Sequence, residues 1–376
     1  MNPNSKRFFG ELESLRGIAA LLVVFFHIEW ANPLTLHRFF RNGYLMVDLF
    51  FVLSGFVICY NYGQKISCIR DIVRFMFLRL GRLYPLHLFF LLIFVGIEFA
   101  KYFGESRFGL MPSQTHAFAL NNLPAFMANL LLIQPFIVST NSSFNSPSWS
   151  IGVEFYTYLI FAFIVLIFPG KRKFTIASFI VVSLAIVLYS FWGAEGLSPR
   201  TGLGFLSCIL CFFSGTLAYH AYSRYGRYFA PCCELIVGCI TIGLIIFLSL
   251  NENSEFNFLV LPLFFLLIIA LAASPPKGGL ISKFLNSGPL RWMGAISYSI
   301  YMTHLLILMV VGRSLAFTQK HCNPEFANWL SLIFVLLAIA IVLAVSQLTY
   351  QWIEKPWQNK FREFGARRFK FWAGRS

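Results

Sequence analysis

Arg16 and His27 stand eleven residues apart in E-L-E-S-L-R-G-I-A-A-L-L-V-V-F-F-H, within the first apolar run of the chain. On a helix rising about 1.5 Å per residue, the two groups lie about 16 Å apart along the axis. Arg16 is then expected at one membrane face and His27 near the bilayer midplane. A titratable group at that depth costs at least about 2.5 kcal/mol on insertion scales, so a chemical role is the default expectation. Imidazole exchanges protons near neutrality, and guanidinium binds phosphate through two parallel bonds.

Other polar residues extend this pair. His304 closes G-A-I-S-Y-S-I-Y-M-T-H, where Ser297, Tyr301 and His304 recur with a helical period on one face. Asp48 in G-Y-L-M-V-D-L-F-F and Glu154 in S-P-S-W-S-I-G-V-E-F-Y lie a few residues inside apolar runs. A carboxylate beside an imidazole fixes its tautomer and raises its basicity. Trp149, Tyr156 and Tyr158 offer aromatic surface for stacking a sugar or for an interfacial belt. Arg70, Arg74, Arg79 and Arg82 cluster in I-R-D-I-V-R-F-M-F-L-R-L-G-R-L-Y-P, with Arg79 and Arg82 on one helical face. With Arg16 they could bind phosphate groups or serve only as charge that orients the chain. By depth the order is arginines inside, histidines in the middle, carboxylates and aromatics outside. A phosphorylated cytoplasmic donor and a hydroxyl acceptor would meet at His27.

The elements that must position these residues follow from composition. Of 376 residues, 58% are hydrophobic and 12% charged, and mean hydropathy is +0.70. Soluble domains carry about 25% charged residues. The expected class is all-α, a polytopic membrane helix bundle of about ten spans. They are placed near 15–32, 43–62, 83–100, 148–168, 174–192, 202–221, 232–250, 257–274, 294–312 and 328–350. The stretch 117–138, broken by Asn121, Asn122, Pro124 and Pro135, is expected to be interfacial or re-entrant on the outer side.

The net charge of +15 follows orientation, so no nucleic-acid partner is invoked. Outside alternate connections only Arg38, Arg41, Lys101, Arg107, Arg200, Arg313 and Lys320 are basic. That bias places both termini in the cytoplasm. Of eight cysteines, only Cys322 is expected to face outward, so no disulfide framework is expected. No cleavable signal peptide is expected, because the first apolar run carries His27 and Glu29. Residues 1–357 read as one integral-membrane domain, and 358–376 as a basic, aromatic tail suited to the anionic inner leaflet.

Taken in order, R-G-I-A-A-L-L-V-V-F-F-H, V-D-L-F-F-V-L-S-G-F-V-I, R-L-G-R-L-Y-P, S-P-S-W-S-I-G-V-E-F, I-S-Y-S-I-Y-M-T-H and I-E-K-P-W resemble the membrane-bound acyltransferase-3 family, the integral-membrane O-acyltransferases of bacterial surface glycans. The resemblance covers roughly 10–357 and implies a ten-helix core with acyl-CoA, usually acetyl-CoA, as donor. It implies that Arg16 and His27 are essential, that Arg79 and Arg82 form the donor-side R-x-x-R pair, and that Trp149, Ser150 and Glu154 form the W-S…E motif. Met46 stands where glycine is common and Thr303 where an aromatic is common, departures that bear on the acceptor. Some members carry a fused extracytoplasmic esterase-like domain; none is expected here.

The expected function is an inner-membrane O-acetyltransferase acting on a cell-envelope polysaccharide or its lipid-linked precursor. His27 is the general base or acyl carrier, Asp48 or Glu154 orients the imidazole or holds the sugar, and Tyr301 or His304 stabilises the oxyanion. Arg16, Arg79 and Arg82 hold the donor, and Trp149 and Ser150 bind substrate. No metal or prosthetic group is expected. Membrane lipids, a second copy of the chain and a polysaccharide-synthesis assembly are the further partners considered. Three alternatives stay open: another acyl group such as succinyl or a small-molecule acceptor, a glycan-precursor transporter or flippase, and a non-catalytic scaffold.

Overall fold

The computed structural model describes residues 7–30, 34–109, 115–137, 142–192, 203–252, 254–275, 278–320 and 324–373. Arg200 and Cys322 lie outside them. The described residues contain helices and no strand. In chain order these are α1 (Gly10–Phe26), α2 (Arg38–Arg41), α3 (Met46–Tyr62), α4 (Ile69–Phe108), α5 (Leu123–Leu130), α6 (Trp149–Ile167), α7 (Lys171–Trp192) and α8 (Leu203–Phe229). There follow α9 (Cys233–Leu250), α10 (Val260–Ala273), α11 (Leu280–Leu285), α12 (Gly288–Ala295), α13 (Ser297–Gln319) and α14 (Pro324–Thr349). A π-helical turn, Tyr350–Glu354, leads into α15 (Lys355–Ala373).

Among the described residues each of the ten stretches expected to cross the membrane overlaps a helix. Among the described residues six helical segments are long and apolar enough to do so: Arg38–Tyr62, Ile69–Phe108, Ser146–Ile167, Gly204–Leu250, Ser297–Gln319 and Trp329–Arg368. The chain is therefore an integral membrane protein. Helix α5, flanked by prolines, has 8 residues and is about 12 Å long, too short to cross a core of about 30 Å.

Two expectations change. The first helix, expected at 15–32 with His27 inside it, instead occupies Gly10–Phe26, and His27 closes it, its N–H bonding to the carbonyls of Val23 and Val24. The connection expected at 65–82 is largely helical. Helix α4 runs 40 residues, about 60 Å, straight through Pro85. The stretch from Ile69 to Tyr84 is rich in Arg and Leu, good helix formers, and Gly81 is its only strong breaker. Pro85 removes one N–H, a loss that membrane helices accommodate locally.

The chain divides into two compact units. The first comprises Met1–Tyr60 and Cys211–Tyr298, the second Asn61–Leu210 and Ser299–Ser376. In the first unit α1 packs on α12, with further contacts to α10 and α11. Gly17 and Gly294 make the close crossing possible: a Cβ at Gly17 would lie 2.7 Å from the Gly294 nitrogen. Small residues are what allow membrane helices this near. Ser14 donates to the Leu285 carbonyl, and Glu11 accepts from Ser282 at 2.8 Å and Asn286 at 2.9 Å. Arg16 sits on the helix so fixed.

In the second unit α4 packs against α5, α6 and α15. Phe77 stacks on Phe361 with ring centroids 4.8 Å apart, and Gly81 leaves the space that the Phe361 ring takes. The basic, aromatic tail is thus helical from Lys355 and docked along the R-x-x-R stretch. Among the described residues the seven cysteines are all free thiols.

Candidate active site

Arg16, His27 and Asp48 belong to the first unit. His27 Nδ1 lies 2.9 Å from the Val23 carbonyl, which can only accept, so Nδ1 carries the proton. The neutral ring then holds its lone pair on Nε2, the arrangement a general base needs. The approach to α3 is fastened beside this helix end. Asn42 donates to the Leu248 and Asn251 carbonyls, each at 2.9 Å, and Asn257 bonds the Tyr44 hydroxyl at 2.9 Å. The Phe26 and Tyr44 rings lie 5.4 Å apart. Asp48 sits half-buried in the first turn of α3, where the helix dipole favours a carboxylate.

The other seven expected residues belong to the second unit. Arg79 and Arg82, expected on one helical face, turn to different partners. The Arg79 guanidinium lies over the rings of Tyr62 and Phe75, 5.3 and 5.8 Å from their centroids, and donates to the Tyr62 hydroxyl at 3.3 Å. Its buried Nε has no protein partner. Arg82 pairs with Glu354 at 3.2 Å. The Glu354 side chain is 0% exposed and also accepts from Ser299 at 2.7 Å and Gln358 at 3.2 Å. The π turn that aims Glu354 at α4 is a device often found at functional sites.

At the start of α6 the structure joins two expected residues. Tyr301 and Ser150 hydroxyls lie 2.8 Å apart, and both reach the Pro147 carbonyl, at 2.8 and 3.1 Å. Each hydroxyl has one proton, so the pair is spent fastening the S-P-S-W turn to α13. His304 is fully buried, with Nδ1 2.7 Å from the Tyr301 carbonyl and its ring 5.8 Å from that of Tyr301. Its lone pair, like that of His27, falls on Nε2. Trp149 packs on the backbone of Gly204, and Glu154 accepts from Tyr158 at 2.6 Å.

Sequence reasoning missed Glu354, although I-E-K-P-W put an acid at the end of an apolar run. It also missed His87, Asn129 and Asn145 as individual buried polar residues. Among the described residues no group of three His, Cys, Asp or Glu side chains is arranged to hold a metal ion.

Apolar helices carrying half-buried arginines and buried histidines and carboxylates define an integral membrane protein equipped for polar chemistry. An acyltransferase domain matches residues 9–350, and the chain belongs to the acyltransferase-3 family. The O-acetyltransferase OatA of Staphylococcus aureus is 25% identical over 388 residues, covering 96% of this chain and 59% of its own length. YrhL of Bacillus subtilis is 25% identical over 390 residues, covering 96% and 57%. The peptidoglycan O-acetyltransferase OatA of Listeria monocytogenes is 24% identical over 403 residues, covering 98% and 59%. The chain thus spans less than two thirds of the length of these relatives. No solved structure matches it.

Proposed function

We propose that this protein is an O-acetyltransferase that moves an acetyl group from acetyl-CoA to a hydroxyl of a cell-envelope glycan, peptidoglycan being the class named in the relatives. We further propose ten membrane crossings with both termini in the cytoplasm, in the inner membrane of a bacterium. The observation that carries the chemistry is the bond from His27 Nδ1–H to Val23, which leaves Nε2 basic.

His27 Nε2 takes the proton of the acceptor hydroxyl as its oxygen attacks the thioester carbonyl. The tetrahedral intermediate collapses with release of CoA thiolate, which takes up the proton held by His27 and restores the neutral imidazole. Asp48 supports the imidazolium electrostatically, and Glu154 and Trp149 hold the sugar. Arg79 binds donor phosphate with its guanidinium oriented by Tyr62 and Phe75. Arg82 is held by Glu354, and Arg16 carries the same donor assignment from the first helix. Tyr301 is not assigned the oxyanion, because its proton is engaged within the protein, and His304 could donate to it from Nε2 only as the imidazolium, since its Nδ1–H bonds the Tyr301 carbonyl.

Mass spectrometry of envelope glycans from cells with and without the protein tests the reading. An alkali-labile acetyl ester is expected to vanish with the protein. Unchanged glycan esters would sink it, and loss of a heavier ester would replace acetyl by another acyl group.

A further inference from the structure

Three polar side chains of the second unit are buried with unmet acceptors: His87 at Nδ1, Asn129 at Oδ1 and Asn145 at Oδ1. All three are at most 2% exposed. Hydrogen bonds and the backbone of Phe144 tie them together. His87 Nε2 donates to the Asn129 carbonyl at 3.0 Å, which leaves a lone pair on Nδ1. The Asn129 amide donates to the Ala125 carbonyl at 2.9 Å and to Ser143 Oγ at 2.8 Å. Two residues beyond Ser143, the Asn145 amide donates to the Met302 carbonyl at 3.0 Å.

Between them Phe144 adopts φ 52°, a left-handed conformation that is unfavourable for a bulky residue. It is kept there by an N–H bond to Asn121 at 2.6 Å and by packing in an apolar cluster with Leu91, Phe94 and Ala125. The loop is held in an unfavourable shape that fixes Ser143 and Asn145 on either side.

The pattern of unmet groups carries chemistry. Each side-chain nitrogen that donates on these three residues has at least one acceptor, and what each residue lacks is a donor to its remaining acceptor atom. Buried acceptors left without one are costly, so the natural complement is a neutral, hydroxyl-rich molecule. Phosphate and carboxylate offer only acceptors here, and an ammonium would find no carboxylate among the three. Asn145 also lies two residues before Pro147, whose carbonyl anchors Tyr301 and Ser150.

We propose that His87, Asn129 and Asn145 form a saccharide-hydroxyl site, accepting hydrogen bonds from the glycan to be acylated. The proposal rests on the acyl-transfer reading for the identity of its ligand. Water is the competing occupant.

The test is binding of a tetramer of β-1,4-linked N-acetylglucosamine to the full chain in lipid nanodiscs, followed by tryptophan fluorescence. Wild type is expected to bind, with Asn145→Leu and His87→Phe each binding about tenfold more weakly, the scale of one lost hydrogen bond. The O-methylated tetramer, which has no O–H donors, is expected not to bind to wild type and needs no variant to fold. Absent wild-type binding, equal binding of the methylated tetramer, or unchanged affinity in folded variants would each overturn the proposal and leave water as the occupant. Thioester cleavage of acetyl-CoA is measured in the same preparation. Saccharide binding without cleavage would sink the acyl-transfer reading alone. Cleavage with variant affinities unchanged would sink this site alone.

Discussion

Replacing Arg82 with alanine strips the buried Glu354 carboxylate of its cation. Breaking one side of a buried pair costs about 3–5 kcal/mol, because a charge is left uncompensated in a poor solvent. Two features lower that figure. Arg82 is 27% exposed, so the pair is already partly screened, and Ser299 and Gln358 still donate to the carboxylate. The expected loss is about 2–3 kcal/mol. Glu354→Ala leaves a guanidinium that can turn toward water, and costs about 1–2 kcal/mol. In the double variant no buried charge is left, so its cost falls short of the sum by about 1–2 kcal/mol. Equilibrium unfolding of the four proteins in mixed detergent micelles measures this cycle. Costs that add within about 0.5 kcal/mol would refute the coupling, and with it the claim that the C-terminal π turn holds the R-x-x-R stretch.

Gly17→Ala puts a Cβ 2.7 Å from the Gly294 nitrogen and 2.8 Å from the Met293 carbonyl carbon, both backbone. It is expected to destabilise by about 1–3 kcal/mol, and wild-type thermal unfolding would contradict the close crossing. Tyr301→Phe removes the hydroxyl shared with Pro147 and Ser150, and is expected to cost about 1–2 kcal/mol of stability with under about tenfold loss in transfer. A loss of about 10²–10³ would restore Tyr301 as an oxyanion donor. Arg79→Ala is expected to raise KM for acetyl-CoA about tenfold or more, the scale of one charge-assisted bond, with a smaller change in kcat. An unchanged KM would remove Arg79 from the donor site.

Hydropathy made the helices legible. The first apolar run holds a helix, though with other bounds, 117–138 holds only the short helix α5, and the tail from Lys355 is helical. Helix ends were harder. His27 closes α1, short of the end at 32 that the length expected of a span suggests. The run of α4 through Pro85 ran against the usual behaviour of proline in water. The R-x-x-R pair illustrates the limit of spacing: three residues apart places Arg79 and Arg82 near one face, but Tyr62, Phe75 and Glu354 decide where each guanidinium goes. Phe75 is a neighbour one helical turn away, but Tyr62 and Glu354 come from separate stretches of chain, so no local pattern announces them. Asn145 and Asn129 were invisible for the same reason, since an unmet acceptor exists only once the surrounding fold is known.

The central claim is that His27 performs acyl transfer. The full chain is reconstituted in liposomes with radiolabelled acetyl-CoA and a peptidoglycan-derived acceptor, and alkali-labile label on the acceptor is counted. Wild type is expected to label it, and His27→Ala, verified as folded by its unfolding curve, to lose about 10²-fold or more of the rate. Equal labelling by the folded His27→Ala protein would contradict the account.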